Sequence, residues 1–135
     1  MFRVLFVCVE NSSRSQMAEA FARIHGFGLI DASSAGSKPS GSINPRAVAA
    51  MRERGYDLTT HRSKSLADVA KWKWDRLITM GCGDACPWMP AAEREDWQLP
   101  DPHLLSSSEF NELRDEIERR VIDLIARLRA GAKQN

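Results

Sequence analysis

The chain has 135 residues, 43% of them hydrophobic and 27% charged, and a formal net charge of +1. That length supports one domain with a buried core, but not two. The near-neutral charge gives no electrostatic case for nucleic acid or a membrane surface as partner, and no apolar run approaches the ~20 residues of a membrane span.

Residues 4–7 (Val-Leu-Phe-Val) form a short apolar run, as a strand covered on both faces should. The apolar stretch at residues 5–9 is too short for a signal peptide, and Ser12 to Ser15 follow at once, so a cytoplasmic protein is expected. From Arg14 the pattern turns helical, with Met17, Ala18, Phe21 and Ala22 on one face and Gly26 as the stop.

Between strand and helix stands a Cys, five residues and an Arg: Cys8, Val9, Glu10, Asn11, Ser12, Ser13, Arg14. A loop that runs into a helix N-terminus aims several unpaired backbone N–H groups at one spot, a nest for a tetrahedral oxyanion. The planar fork of Arg14 suits two oxygens of such an anion. Cys8 falls at the nest floor, where the same positive field favours a thiolate. Asn11 tolerates the left-handed backbone such a loop needs, and Ser15 can donate its hydroxyl hydrogen to sulfur. An anion and a thiolate in one nest imply attack on the central atom of the anion. Residues 9–15 are therefore the expected substrate-binding set.

A second strand is expected within residues 28–34, followed by a Gly/Ser/Pro-rich loop at 34–42. Asn44 as N-cap, Pro45 at the first position and Gly55 as the stop predict a helix from Pro45 to Arg54, with Val48 and Met51 inward. Ser65 and Asp68 are spaced as a capping pair for a short helix over 65–71. A third strand is expected at 76–80 and a fourth at 96–99. Ser106 and Glu109 form a capping box for the last helix, whose Phe110, Leu113, Ile117, Val121, Leu124, Ile125 and Leu128 recur at helical spacing. Residues 1–130 read as the domain and 131–135 as a disordered tail. Strands alternating with helices predict an α/β fold: a single domain with a four-stranded parallel sheet and helices on both faces. Ligands of such sheets bind beyond the carboxyl ends of the strands. Cys8, Cys82 and Asp101 each follow a predicted strand, so all three fall on that edge.

Three cysteines, an odd number, argue against a structural disulfide framework. Cys82 and Cys86 lie four apart in a segment rich in Gly, Asp and Pro, within range of one another after a small backbone adjustment. A zinc site needs two more ligands, and His25, His61 and His103 stand at no familiar spacing from the pair. Two inert cysteines or a redox pair remain open.

The stretch from Arg3 to Gly26 resembles the phosphate-binding loop of the low-molecular-weight protein tyrosine phosphatase fold, and Arg14-Ser15-Gln16-Met17-Ala18-Glu19 is more similar to the arsenate reductases built on it. Phosphatases usually carry Pro where Gln16 stands, and many reductases have a second loop Cys where Ser13 stands. The resemblance runs from Phe2 to about Leu128. It implies arsenate as substrate and a thiol relay without a cofactor. In it Cys8 attacks arsenate, Cys82 attacks Cys8 as arsenite leaves, and Cys86 attacks Cys82. The resulting disulfide passes to thioredoxin, another redoxin or a low-molecular-weight thiol. It also implies that Asp101, in Pro100-Asp101-Pro102, is the general acid. Some members hold a potassium ion near the positions of Asn11, Glu19, Ser34 and a later acid. Lys64 stands at that acid's place here, so its ammonium would replace the ion and no metal is expected. A monomer is expected. Trp88, beside Cys86, could form part of a redoxin-docking surface.

Two other readings stay open. A low-molecular-weight protein tyrosine phosphatase would need only Cys8, Arg14 and Asp101, although His103 stands where phosphatases often place an aromatic. A non-catalytic redox sensor or oxyanion-binding regulator would use the same nest without turnover.

Overall fold

The computed structural model of the protein describes residues 1–81 and 89–134. Four strands form one parallel sheet: β1 (Phe2–Cys8), β2 (Ile30–Gly36), β3 (Trp74–Thr79) and β4 (Ala91–Asp96), in the order β2-β1-β3-β4. The helices are α1 (Arg14–His25), α2 (Pro45–Arg52) and α3 (Ser107–Gln134), with short 3₁₀ turns at Leu58–Thr60, Leu66–Asp68 and Pro102–Leu104. After β1 the chain adds β2 on one side and β3 on the other. The switch point, where open α/β sheets take their ligands, therefore lies at the carboxyl end of β1.

Alternation along β1 divides the core. Val4, Phe6 and Cys8 face a large cluster built with Met17 and Phe21 of α1, Ala47 and Met51 of α2, and Phe110, Leu113, Ile117, Val121, Leu124, Ile125 and Leu128 of α3. Leu5 and Val7 face a smaller cluster with Ala35, Val69, Trp74, Leu77 and Met89, over which the Leu66–Asp68 turn lies. The Ser65/Asp68 capping box is formed there, around one 3₁₀ turn instead of a helix over 65–71. Asn44 caps α2 by accepting from the Arg46 N–H at 2.9 Å. On that helix Ala47, Ala50 and Met51 are buried and Val48 only half so.

Besides shifts of one or two residues at the ends of β2, α2 and β3, two boundaries differ from expectation for physical reasons. The fourth strand is Ala91–Asp96, ahead of the expected 96–99. It is an edge strand whose side chains are all partly or fully exposed, so it carries Glu93, Arg94 and Glu95 and no apolar run. Trp97 and Leu99 instead leave the strand and enter the core. Helix α3 runs on through Gly131 to Gln134, where a tail is expected. Gly131 lacks the left-handed φ of a helix-ending glycine, so it costs the helix about 1 kcal/mol without stopping it.

Among the described residues, no helix is long and apolar enough to cross a membrane.

Candidate active site

The loop after β1 is shaped by what holds its carbonyls. Six in succession face away from the loop centre, each with a donor. Cys8 O accepts from Ser37 N–H (3.3 Å), Val9 O from Lys38 N–H (2.8 Å), Glu10 O from Ser40 N–H (3.0 Å), Ser12 O from Asn44 N–H (3.0 Å) and Ser13 O from Met17 N–H (2.9 Å). Asn11 O accepts from the Gln16 side-chain amide at 3.0 Å. Successive peptides whose carbonyls point outward turn their N–H groups inward, and this is the physical basis of an anion nest. Ser13, at the N-cap of α1, makes no side-chain cap bond, and the first turn of α1 holds no acidic residue. The positive end of the helix is thus left for a ligand.

Two residues let this loop close up. Asn11 has φ 50°, the one non-glycine residue at positive φ among the described residues. Gly36, paired with Cys8 across the sheet, has no room for a side chain: a Cβ there would lie 2.5 Å from Val9 O and 3.0 Å from Asn11 N.

Cys8 is buried at the floor, with Sγ 2.9 Å from Ser15 Oγ. Asn11 Nδ2 donates to the same Ser15 Oγ at 2.7 Å, which leaves the hydroxyl hydrogen directed at sulfur. Buried Arg14 donates from Nη1 to Met80 O at 2.8 Å, so one arm of its fork is anchored and the rest remains for the cleft. The cleft measures about 190 Å³ and is lined by Cys8, Val9, Glu10, Ser12, Ser13, Arg14, Asp101, Pro102 and His103. Asp101 thus meets the loop, five residues beyond the end of β4. Its Oδ1 accepts from His103 N–H at 3.0 Å, fixing a short turn at the cleft mouth, where His103 Nε2 also lies 3.2 Å from Glu10 Oε2. Cys82, Cys86 and Trp88 lie outside the described residues. Gly81, bordering Cys82, packs against the Arg14 guanidinium.

Behind the loop is a buried polar cluster with little signal in the sequence. Gln16 Nε2 donates to Asn11 Oδ1 (2.9 Å) and Arg62 O (2.8 Å), and His61 Nδ1 lies 2.8 Å from Gln16 Oε1. Tyr56 OH stands 2.6 Å from His61 Nε2. Burial holds the His61 imidazole below the usual histidine range, favouring the neutral ring, and raises the Tyr56 phenol. Buried Glu19 accepts from Ser34 Oγ at 2.8 Å and faces Arg23 Nη2 at 3.0 Å and Lys64 Nζ at 3.8 Å. Burial lowers the Lys64 ammonium from the usual lysine range. With two cationic side chains already on Glu19, these residues do not fit a potassium ion.

The site is thus a thiol beneath an inward-facing amide loop at the switch point of a parallel sheet, an arrangement suited to a tetrahedral oxyanion. The chain belongs to the low molecular weight phosphotyrosine protein phosphatase family, which it matches over residues 3–134. Among curated proteins it is 39% identical to the glutaredoxin arsenate reductase of Synechocystis, over 95% of this chain and 99% of that one. Among solved structures it superposes on an arsenate reductase in the phosphate binding state with a TM-score of 0.85 and 39% identity, covering 95% of this chain and 99% of the other. The thioredoxin-dependent arsenate reductase of Corynebacterium glutamicum gives 0.80 and 33%, covering 97% of this chain and 63% of that one.

Proposed function

We propose that the protein reduces arsenate to arsenite by a thiol relay in the cytoplasm, where thiols stay reduced. The observation that carries this reading is the cleft itself: one thiol, one anchored guanidinium and the carboxyl group of Asp101, with Glu10 beside it, around a nest that suits a single tetrahedral anion.

The Cys8 thiolate attacks arsenic while Asp101 gives its proton to a departing oxygen, so an S–As bond forms and water leaves. Loop N–H groups and Arg14 hold the anion and the charge that builds on its oxygens. The Cys82 thiolate then attacks Cys8 Sγ. An S–S bond forms, the S–As bond breaks, and its electron pair stays on arsenic, which falls from As(V) to As(III). Cys86 next attacks Cys82, frees the Cys8 thiolate and leaves a Cys82–Cys86 disulfide. Arsenate and two thiols thus give arsenite, water and one disulfide. A redoxin, thioredoxin or glutaredoxin with glutathione, returns the two electrons. The nearness of Gly81 to the anchored arm of Arg14 supports the relay, because Gly81 is the residue before Cys82.

Steady-state arsenate reduction with either donor system tests this reading. Turnover is expected that Cys8→Ser and Cys82→Ser abolish. Brisk phosphotyrosine hydrolysis without arsenite production, unaffected by Cys82→Ser and Cys86→Ser, would make the protein a phosphatase instead.

A further inference from the structure

The nucleophile loop and the turn that carries Asp101 are far apart in sequence, and a proton donor is useful only at a fixed distance from the reacting atoms. The first residues of α2 touch both. On one side Asn44 donates from its backbone N–H to Ser12 O at 3.0 Å and from Nδ2 to Ser13 Oγ at 3.0 Å. On the other side Arg46 donates from Nη1 to Pro102 O at 3.2 Å and from Nη2 to Leu105 O at 2.5 Å. Those two carbonyls bound the 3₁₀ turn Pro102–Leu104, whose N-cap is Asp101. The two anchors are themselves joined, since Asn44 Oδ1 accepts from Arg46 N–H at 2.9 Å.

Arg46 is well placed for a fixed span. Its guanidinium lies over the ring of buried Phe110 on α3, 4.7 Å from the ring centroid, so it is clamped from one face while its edge donates. Among the described residues it makes no ion pair; its donors go to backbone carbonyls. A guanidinium that holds two carbonyls of one turn fixes the position of that turn as a single donor cannot.

We propose that the start of α2 is a bracket that sets the distance between the Cys8 loop and the Asp101 turn, with Arg46 as the positioning residue for Asp101. The inference rests on Asp101 being the proton donor of the reaction proposed above. Arg46 itself touches neither anion nor thiol.

The test is a cycle of full-length variants: Arg46→Met, Asp101→Asn and the double substitution, with Arg46→Lys as the conservative change. Met keeps the stem over Phe110, and thermal melting confirms that each variant folds. The readouts are the single-turnover rate of arsenite release and the dissociation constant for inorganic phosphate. Arg46→Met is expected to slow arsenite release about tenfold while phosphate affinity stays within about twofold. Arg46→Lys, which can reach one carbonyl, should fall between. In the Asp101→Asn background, Arg46→Met should change the rate less than about twofold, because a positioning effect vanishes once the positioned group is gone.

Equal slowing by Arg46→Met in both backgrounds would overturn the bracket, as would an unchanged rate when Asp101→Asn alone is slow. An unchanged rate in Asp101→Asn would remove the acid assignment and the inference with it. Should the wild-type chain release no arsenite, the proposed function fails, and the same cycle on p-nitrophenyl phosphate hydrolysis decides the bracket by the same criterion.

Discussion

Gly81→Ala tests how the guanidinium of Arg14 is held. Gly81 has φ 81°, and a Cβ there would lie 2.6 Å from Leu99 O and 2.9 Å from Arg14 Nη1. Gly55, after α2, has φ 74° and nothing within 4 Å of its Cβ position. Both alanine variants therefore carry the same backbone cost, roughly 1–2 kcal/mol for a side chain in the left-handed region. Only Gly81→Ala adds a clash. Its backbone contact cannot yield, so the Arg14 side chain must shift and lose the 2.8 Å bond to Met80 O that aims it. A charge-assisted hydrogen bond contributes ~1.5–3 kcal/mol. Lost to the anion, that is about a tenfold to hundredfold fall in affinity. Calorimetric titration of the reduced protein with phosphate, beside thermal melting, measures both effects. Gly55→Ala should melt a few degrees lower with unchanged phosphate affinity; Gly81→Ala should melt at least as low and bind at least about tenfold more weakly. Equal phosphate affinity in the two variants would refute the argument.

Other consequences separate strong from weak contributions. Ile117→Ala, at a fully buried position in the α3 stripe, should cost about 2–5 kcal/mol in urea unfolding, whereas Arg127→Ala, which breaks an exposed pair with Glu95, should cost under about 1 kcal/mol. The buried imidazole predicts an acid dependence. Because burial lowers the His61 pKa in the folded state, the unfolded chain takes up the proton first, and stability declines as pH falls below about 6.5, by up to about 1.4 kcal/mol per pH unit until the folded-state pKa is reached. The ring resonances of His61 should accordingly keep their neutral positions to lower pH than those of a model peptide; a midpoint at or above the peptide value would contradict this. Glu95, held below the usual carboxylate range chiefly by its hydrogen bonds from Arg127, adds a second loss as pH falls through its folded pKa, and a melting series from pH 8 to 3 should show both.

The sequence exposed whatever is encoded locally. The apolar run of β1, the Cys-to-Arg loop and the helical face of α1 are contiguous, so the nest is legible in the sequence alone. The same holds for α3, whose stripe and Ser106/Glu109 box are both formed. The edge strand carries no apolar signature, because its side chains are all partly or fully exposed. Gln16, His61 and Arg46 gave no functional signal because their partners lie far along the chain. His61 is 45 residues from Gln16, and Arg46 is 56 from Pro102. Gln16 stood out only as a departure from the proline of the phosphatases, and His61 only as an unsuitable zinc ligand. Tertiary structure gives each a role that no local spacing announces.

In the proposed relay this anion nest feeds electrons from two cysteines to arsenic. Its most direct test is a single turnover of arsenate by the fully reduced protein without added thiol, followed by mass-spectrometric mapping of disulfides. One arsenite per chain and a Cys82–Cys86 disulfide are expected, with Cys8 returned to the free thiol. No arsenite from the reduced chain, with all three cysteines still free thiols, would contradict it.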